Sequence, residues 1–350
     1  MRFRRPHGRL QTTVGSPLGA GSAAPWQSGH LRRRHFLALP AIITVAEPAL
    51  DQSWPIWPLR CIIPYAPGPI STMSRLVVDR IARRLRRLIT YDYRPGATGT
   101  IGADYIARAK PDGYTFGIIS QASHAVLPRL RDLPYDPLKD FAPIGAIASF
   151  DNVLVVPATS PVRSLNDLID LASRRAGGLL YGSPGIGSGA HIVTEIMKIE
   201  TGMGLTHVPY SGSSAALADM MDGRVDLMLD GMPSVADQLR QGQLRPLAVA
   251  AADRSRLLPD VPSFTELGFP RVRLSTWIGM AGPDGIPPEV IDKLAETLNL
   301  SLQEAQVESR FESLGATPLI DTPALFTSRI ANDLAWLREF LPRLGITGQQ

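Results

Sequence analysis

Residues 179–212, LLYGSPGIGSGAHIVTEIMKIETGMGLTHVPYSG, hold the residue types and spacings that could do chemistry. Gly182, Gly185, Gly187 and Gly189 alternate with Ser183 and Ser188, and His191 follows. Glycines let such a loop adopt unusual backbone angles and let a ligand approach the main chain closely. A helix is predicted from about Ala190, with Ile192, Ile196 and Ile199 at helical spacing. Its first N–H groups lack intrahelical acceptors, and its dipole is positive at that end, so Ser188, Gly189 and Ala190 would offer hydroxyl and N–H groups to an anion. A second copy follows, in which a strand over 205–209 runs into YSGSS (210–214) and a helix begins near Ala215. Two such termini could grip one small anion, with Tyr210 beside them.

The same Gly/Ser pattern equally fits a tight strand-to-helix connection that holds nothing. Other chemistries fit less well. The glycines at 185, 187 and 189 do not make G-x-G-x-x-G, and no acidic residue closes a clear second strand at the expected distance, which argues against a dinucleotide site. Ser183 and Ser188 lack the glycine offsets of a nucleophile elbow. His124, His191 and His207 have no zinc spacing, and one cysteine cannot supply a thiolate set. No metal, cofactor or catalytic residue is therefore expected. A hydrolase using His191 or His124 with a nearby serine remains an alternative without a motif to support it.

Elements that position these residues begin at Leu59, where β and α patterns start to alternate, as in an α/β fold with a parallel-rich sheet. A strand over 60–64 meets the loop YAPGPIST (65–72), and an amphipathic helix covers 73–88. A strand reaching Ser120 opens into Gln121, Ser123 and His124, candidate contacts because open α/β sheets bind ligands at the carboxyl ends of strands. The run NVLVVP (152–157) reads as a fully buried strand. A strand over 225–229 ends at Asp230, which could face a cleft or cap the next helix. A strand over 247–251, another over 272–281 and helices over 288–305 and 323–344 complete the reading. Cys61 sits in an apolar strand, where an inert buried thiol is expected.

At 350 residues the chain would usually form two domains, and 44% hydrophobic composition is ample for two cores. Residues 1–50 contain seven Arg and one acidic residue, which leaves −2 for the remainder of a formal charge of +4. A nearly neutral remainder gives no electrostatic case for nucleic acid. Arg32-Arg33-Arg34-His35-Phe36-Leu37 followed by an apolar run over 36–46 reads as a twin-arginine-like export signal, with cleavage expected between Ala46 and Ser53. No cysteine stands there for a lipid anchor.

YGSPGIGSGAH, THVPYSGSSAAL, GRVDLMLDGMPS and RSRLLPDVPSFTELG resemble the signatures of the tripartite tricarboxylate transporter receptors, the Bug-type extracytoplasmic solute-binding proteins. RPGATG (94–99) and PDGY (111–114) resemble further markers of that family, and the similarity runs over about 58–341. The resemblance implies a two-lobed periplasmic-binding-protein fold, type II-like, each lobe a mixed sheet flanked by helices. Residues 1–52 would be export signal and extension, 53–150 with 277–350 one lobe, and 151–276 the other, with the crossings at Asn152 and Trp277 as hinge. It implies a periplasmic, monomeric, non-enzymatic receptor that binds a small organic anion, a carboxylate, for delivery to the membrane subunits of a tripartite transporter. A receptor signalling to a sensor kinase is the alternative. Ligand contacts are expected from Ser71, Thr72, Gln121, Ser123 and His124 on one lobe, and from Ser183, Ser188, Gly189, Ala190, His191, Tyr210 and Asp230 on the other. The first loop departs from the family pattern P-F-x-P-G-G-x-T-D by one glycine, and Ser71 aligns with its acidic residue. Trp277, at the crossing, is expected to report lobe closure.

Overall fold

Each strand alternates its side chains between two faces, and the chain uses this to build two sheets with apolar residues on both sides. The computed structural model describes residues 54–344; the arginine triplet, the apolar run over 36–46 and the cleavage region lie outside the described residues. In chain order come β1 (Leu59–Ile63), α1 (Pro69–Leu85), β2 (Ile89–Tyr93), α2 (Thr100–Ala107), β3 (Thr115–Ser120), α3 (Leu127–Leu130) and β4 (Phe141–Phe150). Then follow β5 (Asn152–Pro157), α4 (Leu165–Arg174), β6 (Leu179–Ser183), α5 (Gly189–Thr201), β7 (Leu205–Pro209), α6 (Ser213–Met221), β8 (Leu227–Gly231), α7 (Met232–Arg240) and β9 (Leu244–Val249). The last part contains β10 (Thr276–Pro283), α8 (Pro288–Leu302), α9 (Ala305–Ser313), β11 (Ala316–Pro318) and α10 (Pro323–Phe340).

A six-stranded sheet has the order β11-β4-β10-β3-β1-β2, and a five-stranded sheet has the order β7-β6-β8-β5-β9. Both are mixed. In the first, β1 runs parallel to β2 and β3 while β10 runs antiparallel to β3 and β4; in the second, β6 runs parallel to β7 and β8 while β5 opposes β8 and β9. The fold is therefore the two-lobed α/β fold that the sequence implied. Within β1, Leu59, Cys61 and Ile63 join one core with Met73, Val77 and Phe116, while Ile62 faces another that includes Ile119, Leu154 and Tyr181. A third core, with Val153, Met228 and Val249, covers the outer side of the five-stranded sheet. Cys61 is fully buried and burial pushes its thiol pKa up, so it is the inert group expected.

The chain passes from β4 to β5 through the single residue Asp151, and this crossing is pinned. The Asn152 amide donates to the Leu274 carbonyl at 2.9 Å, and the Met232 N–H donates to the Asp151 carbonyl at 2.9 Å. Trp277 is the second residue of β10. It is 3% exposed, its indole N–H donates to Asp333 at 2.7 Å, and its ring meets Phe326 edge-on at 5.2 Å. Among the described residues no helix is long and apolar enough to cross a membrane.

Candidate functional site

Parallel strands deliver their following loops to one end of a sheet, and here the carboxyl ends of both sheets face the same cavity of about 570 Å³. Its wall is made by residues 64–70 after β1, 95–99 after β2, Ser120 and Ala122 after β3, and residues 184–186 and 188–190 after β6. Residues 209–215 after β7 and Asp230, Gly231 and Ser234 after β8 complete it, with Phe150, Asn152, Thr276 and Ile278 at the crossings.

Helices α5 and α6 begin in this wall. Ser188 caps α5, its hydroxyl accepting the His191 N–H at 3.1 Å, and Gly202 ends the helix in the left-handed region at φ 70°. Ile192, Val193, Ile196 and Met197 bury the core face, whereas Ile199 is 47% exposed and lies off the stripe that the spacing had assigned. The N–H groups of Gly189 and Ala190 stand in the first turn, where no intrahelical acceptor exists. Gly189 also permits the approach of β10, because a Cβ there would meet Thr276 Oγ1 at 2.5 Å. The loop before α5 reaches across the cavity mouth: the Thr98 hydroxyl donates to the Ile186 carbonyl at 3.1 Å, and a Cβ on Gly187 (φ 77°) would strike Leu127 at 2.4 Å. Two helix N-termini of this kind attract negative charge.

Among the twelve residues expected from sequence, Ser188, Gly189, Ala190, Tyr210 and Asp230 line the cavity. The hydroxyl of Tyr210 turns away and donates to Asp219 at 2.8 Å, so its contribution is the ring and main chain. The other seven residues are absent from the wall. Ser71 is buried in the first turn of α1, its Oγ accepting the Gly68 N–H and donating to the Gly68 carbonyl, both at 2.9 Å. Where the family pattern places an acid, this chain thus has a hydroxyl that closes the helix start. Thr72 is exposed on α1, away from the wall. Gln121 donates to Asp333 at 3.0 Å, beside the Trp277 bond. Ser123 and His124 are fully buried, joined to each other at 3.0 Å; His124 packs on Tyr135 and Phe141, and burial lowers its pKa to about 3.

Ser183 and His191 lie under the cavity floor. Ser183 Oγ is 2.6 Å from His207 Nε2, the His207 ring stacks between Tyr181 and His191, and His191 Nδ1 accepts the Gly187 N–H at 3.2 Å. Burial, reinforced for His191 by Lys198, lowers both histidines to about 4, so both are neutral at pH 7. The serine and histidine are thus spent on holding the loop and offer no nucleophile to the cavity.

Among the described residues, the wall contains one carboxylate, Asp230, and one guanidinium, Arg131. Arg131 Nη2 donates to the Ala97 carbonyl and Thr100 Oγ1, both at 3.2 Å, which ties it to the loop after β2. Asp230 is 4% exposed; its Oδ1 accepts the Gly231 N–H at 2.7 Å and its Oδ2 has no partner. Burial pushes its pKa up to about 6, against the lowering effects of the Ser213 hydroxyl and the Gly231 N–H. Two further buried wall atoms lack partners, Tyr65 Oη and Thr276 Oγ1. Neither residue was a sequence candidate, and no spacing marks them. For Tyr65 the signal was only its place in a loop at a strand's carboxyl end. Among the described residues no cluster of His, Cys, Asp and Glu could hold a metal.

A family model described as "Tripartite tricarboxylate transporter family receptor" matches residues 73–324. Protein BugT of Bordetella pertussis is 32% identical over 83% of this chain and 90% of its own length. Among solved structures, an R. palustris protein with adipate is 33% identical, with a TM-score of 0.81 over 84% of this chain and 99% of the other. MatC from Rhodopseudomonas palustris with bound malate is 27% identical, with a TM-score of 0.77 over 82% and 99%. The matching family is thus one of receptors.

Proposed function

Because the chain belongs to the tripartite tricarboxylate transporter receptor family, we propose that it is an exported solute receptor whose lobes, residues 53–150 with 277–350 and residues 151–276, close on a small organic carboxylate and present it to the membrane subunits of such a transporter. The observation that carries this reading is the convergence of the α5 and α6 N-termini on a cavity of about 570 Å³. Helix N-termini there supply N–H donors and positive potential without requiring a basic side chain. That arrangement suits reversible capture, because the donors are backbone N–H groups and the Ser183–His207 pair lies outside the wall. Adipate and malate in the two R. palustris proteins support the choice of carboxylate. Export through the twin-arginine-like leader is part of the same proposal.

A thermal-shift panel of mono-, di- and tricarboxylates against neutral sugars and amines tests it. A ligand at about 100 times its Kd adds about 2.7 kcal/mol to folding stability, which for a chain of this length raises Tm by several degrees. Shifts confined to carboxylates are expected. Shifts only with neutral or cationic solutes would contradict the reading.

A further inference from the structure

The wall of the cavity contains a carboxyl group that the anion-binding reading does not use. Asp230 stands at the carboxyl end of β8, 4% exposed, with one oxygen committed to the Gly231 N–H and the other without a partner. The one guanidinium in the wall, Arg131, is tied to Ala97 and Thr100. A buried polar atom left unpaired carries a desolvation penalty, which for a carboxylate oxygen is relieved by a proton or by a hydrogen-bond donor. Thr276 Oγ1 and Tyr65 Oη, on two other wall residues, are likewise buried and unpaired.

We propose that Asp230 sets the ligand class: the cavity takes carboxylates that also bear a hydrogen-bond donor, a hydroxyl or ammonium group, which bonds to Asp230 Oδ2. This rests on the carboxylate-receptor reading above and refines it. The helix N-termini hold the carboxylate, and Asp230 reads the substituent. Burial raises the Asp230 pKa to about 6 even with the Ser213 hydroxyl and the Gly231 N–H beside it. A site built to bond a substrate OH or NH discriminates against analogues that lack it, because the buried group is then left unpaired.

The test is calorimetric titration of matched sets at one chain length: succinate, malate and aspartate; glutarate, 2-hydroxyglutarate and glutamate; adipate, 2-hydroxyadipate and 2-aminoadipate. Each is run on the wild-type protein and on Asp230→Asn, which keeps an acceptor for the Gly231 N–H. At least one hydroxy or amino member is expected to bind about tenfold or more tightly than its unsubstituted parent, as a hydrogen bond to a charged group provides. In Asp230→Asn that preference should fall by about tenfold for an ammonium ligand and less for a hydroxyl ligand, which tells the two sources apart. Tighter binding of the unsubstituted parents, or a preference unchanged in Asp230→Asn, overturns the role of Asp230 while leaving the carboxylate reading standing. Binding by no member of any set overturns both.

Discussion

Ser188 does two things with one hydroxyl, and its substitution therefore has two separable effects. As the N-cap of α5 it accepts the His191 N–H, so Ser188→Ala should cost about 1 kcal/mol of stability. As a wall residue it should also weaken carboxylate binding by about tenfold. Ser188→Gly keeps most of the cap and still loses the hydroxyl, so calorimetry and melting on the two variants separate the roles; equal affinity in both would remove Ser188 from the ligand. Asp230 yields a prediction of opposite sign. Its folded pKa, near 6, lies above the unfolded value, so its contribution to stability is present below pH 4 and is lost as pH rises through 6. Asp230→Asn should therefore stabilise the empty protein at pH 7, by up to about 3 kcal/mol, and the gain should vanish toward pH 4. His124, His191 and His207 act in the other direction, because their folded pKa values are depressed to about 3, 4 and 4. Their contribution is complete above pH 6.5 and is lost as pH falls from there toward 4, with a limiting slope of about 1.4 kcal/mol per pH unit for each proton. Replacing His124 by Phe should lower the slope of stability against pH by up to one proton. Roles at this scale were the least legible in the sequence: Ser183 and His191 sit in the right loop, yet the fold turns their polar atoms toward His207 and Gly187.

At the scale of elements, close approach of backbone to neighbour explains what the loops require. Gly189→Ala places a methyl against Thr276 Oγ1, 2.5 Å away before any shift. Where the start of α5 moves to relieve this contact, ligand affinity should fall by about tenfold or more, because the N–H groups of Gly189 and Ala190 are displaced from the anion. Unchanged affinity in Gly189→Leu, whose larger side chain a turn of the Thr276 hydroxyl cannot accommodate, would show that this terminus is not the anion cradle. Elements with strong local signals were readable. β5 over Asn152–Pro157 and β7 over Leu205–Pro209 match the sequence reading, because short apolar runs bounded by polar or glycine residues leave little freedom. The helix expected over 288–305 is α8, which stops at Leu302, and the separate α9 that follows was not expected; Glu304 between them binds Arg80 and Arg84 of α1. Those partners are more than 200 residues away in sequence, so periodicity carries no trace of the break. β11, three residues long, is too short to show a period. α4 had a readable signal that was missed, the capping pair Ser164 and Asp167.

For the whole molecule, the two-lobed plan was legible because alternating β and α patterns and the family motifs agree over most of the chain. The contribution of its crossings was not legible, since hinge behaviour depends on contacts between distant segments. Trp277 is fixed by Asp333 and Phe326 within the six-stranded sheet, so its emission should be silent to ligand. A ligand-dependent signal that disappears in Trp277→Phe would contradict this placement. Loops from the two sheets meet at Thr98 and Ile186, and closure on ligand should bring such pairs together, lowering the radius of gyration measured by solution scattering when a bound carboxylate saturates the cavity. The central claim is that a carboxylate charge, held by helix N-termini, is what the cavity binds. Its most direct test is calorimetry of adipate and malate against adipamide and malamide, which keep the carbon skeletons and remove the charge. The account predicts measurable binding of at least one acid and a loss of about tenfold or more in its amide; an amide that binds as tightly as its acid would contradict it.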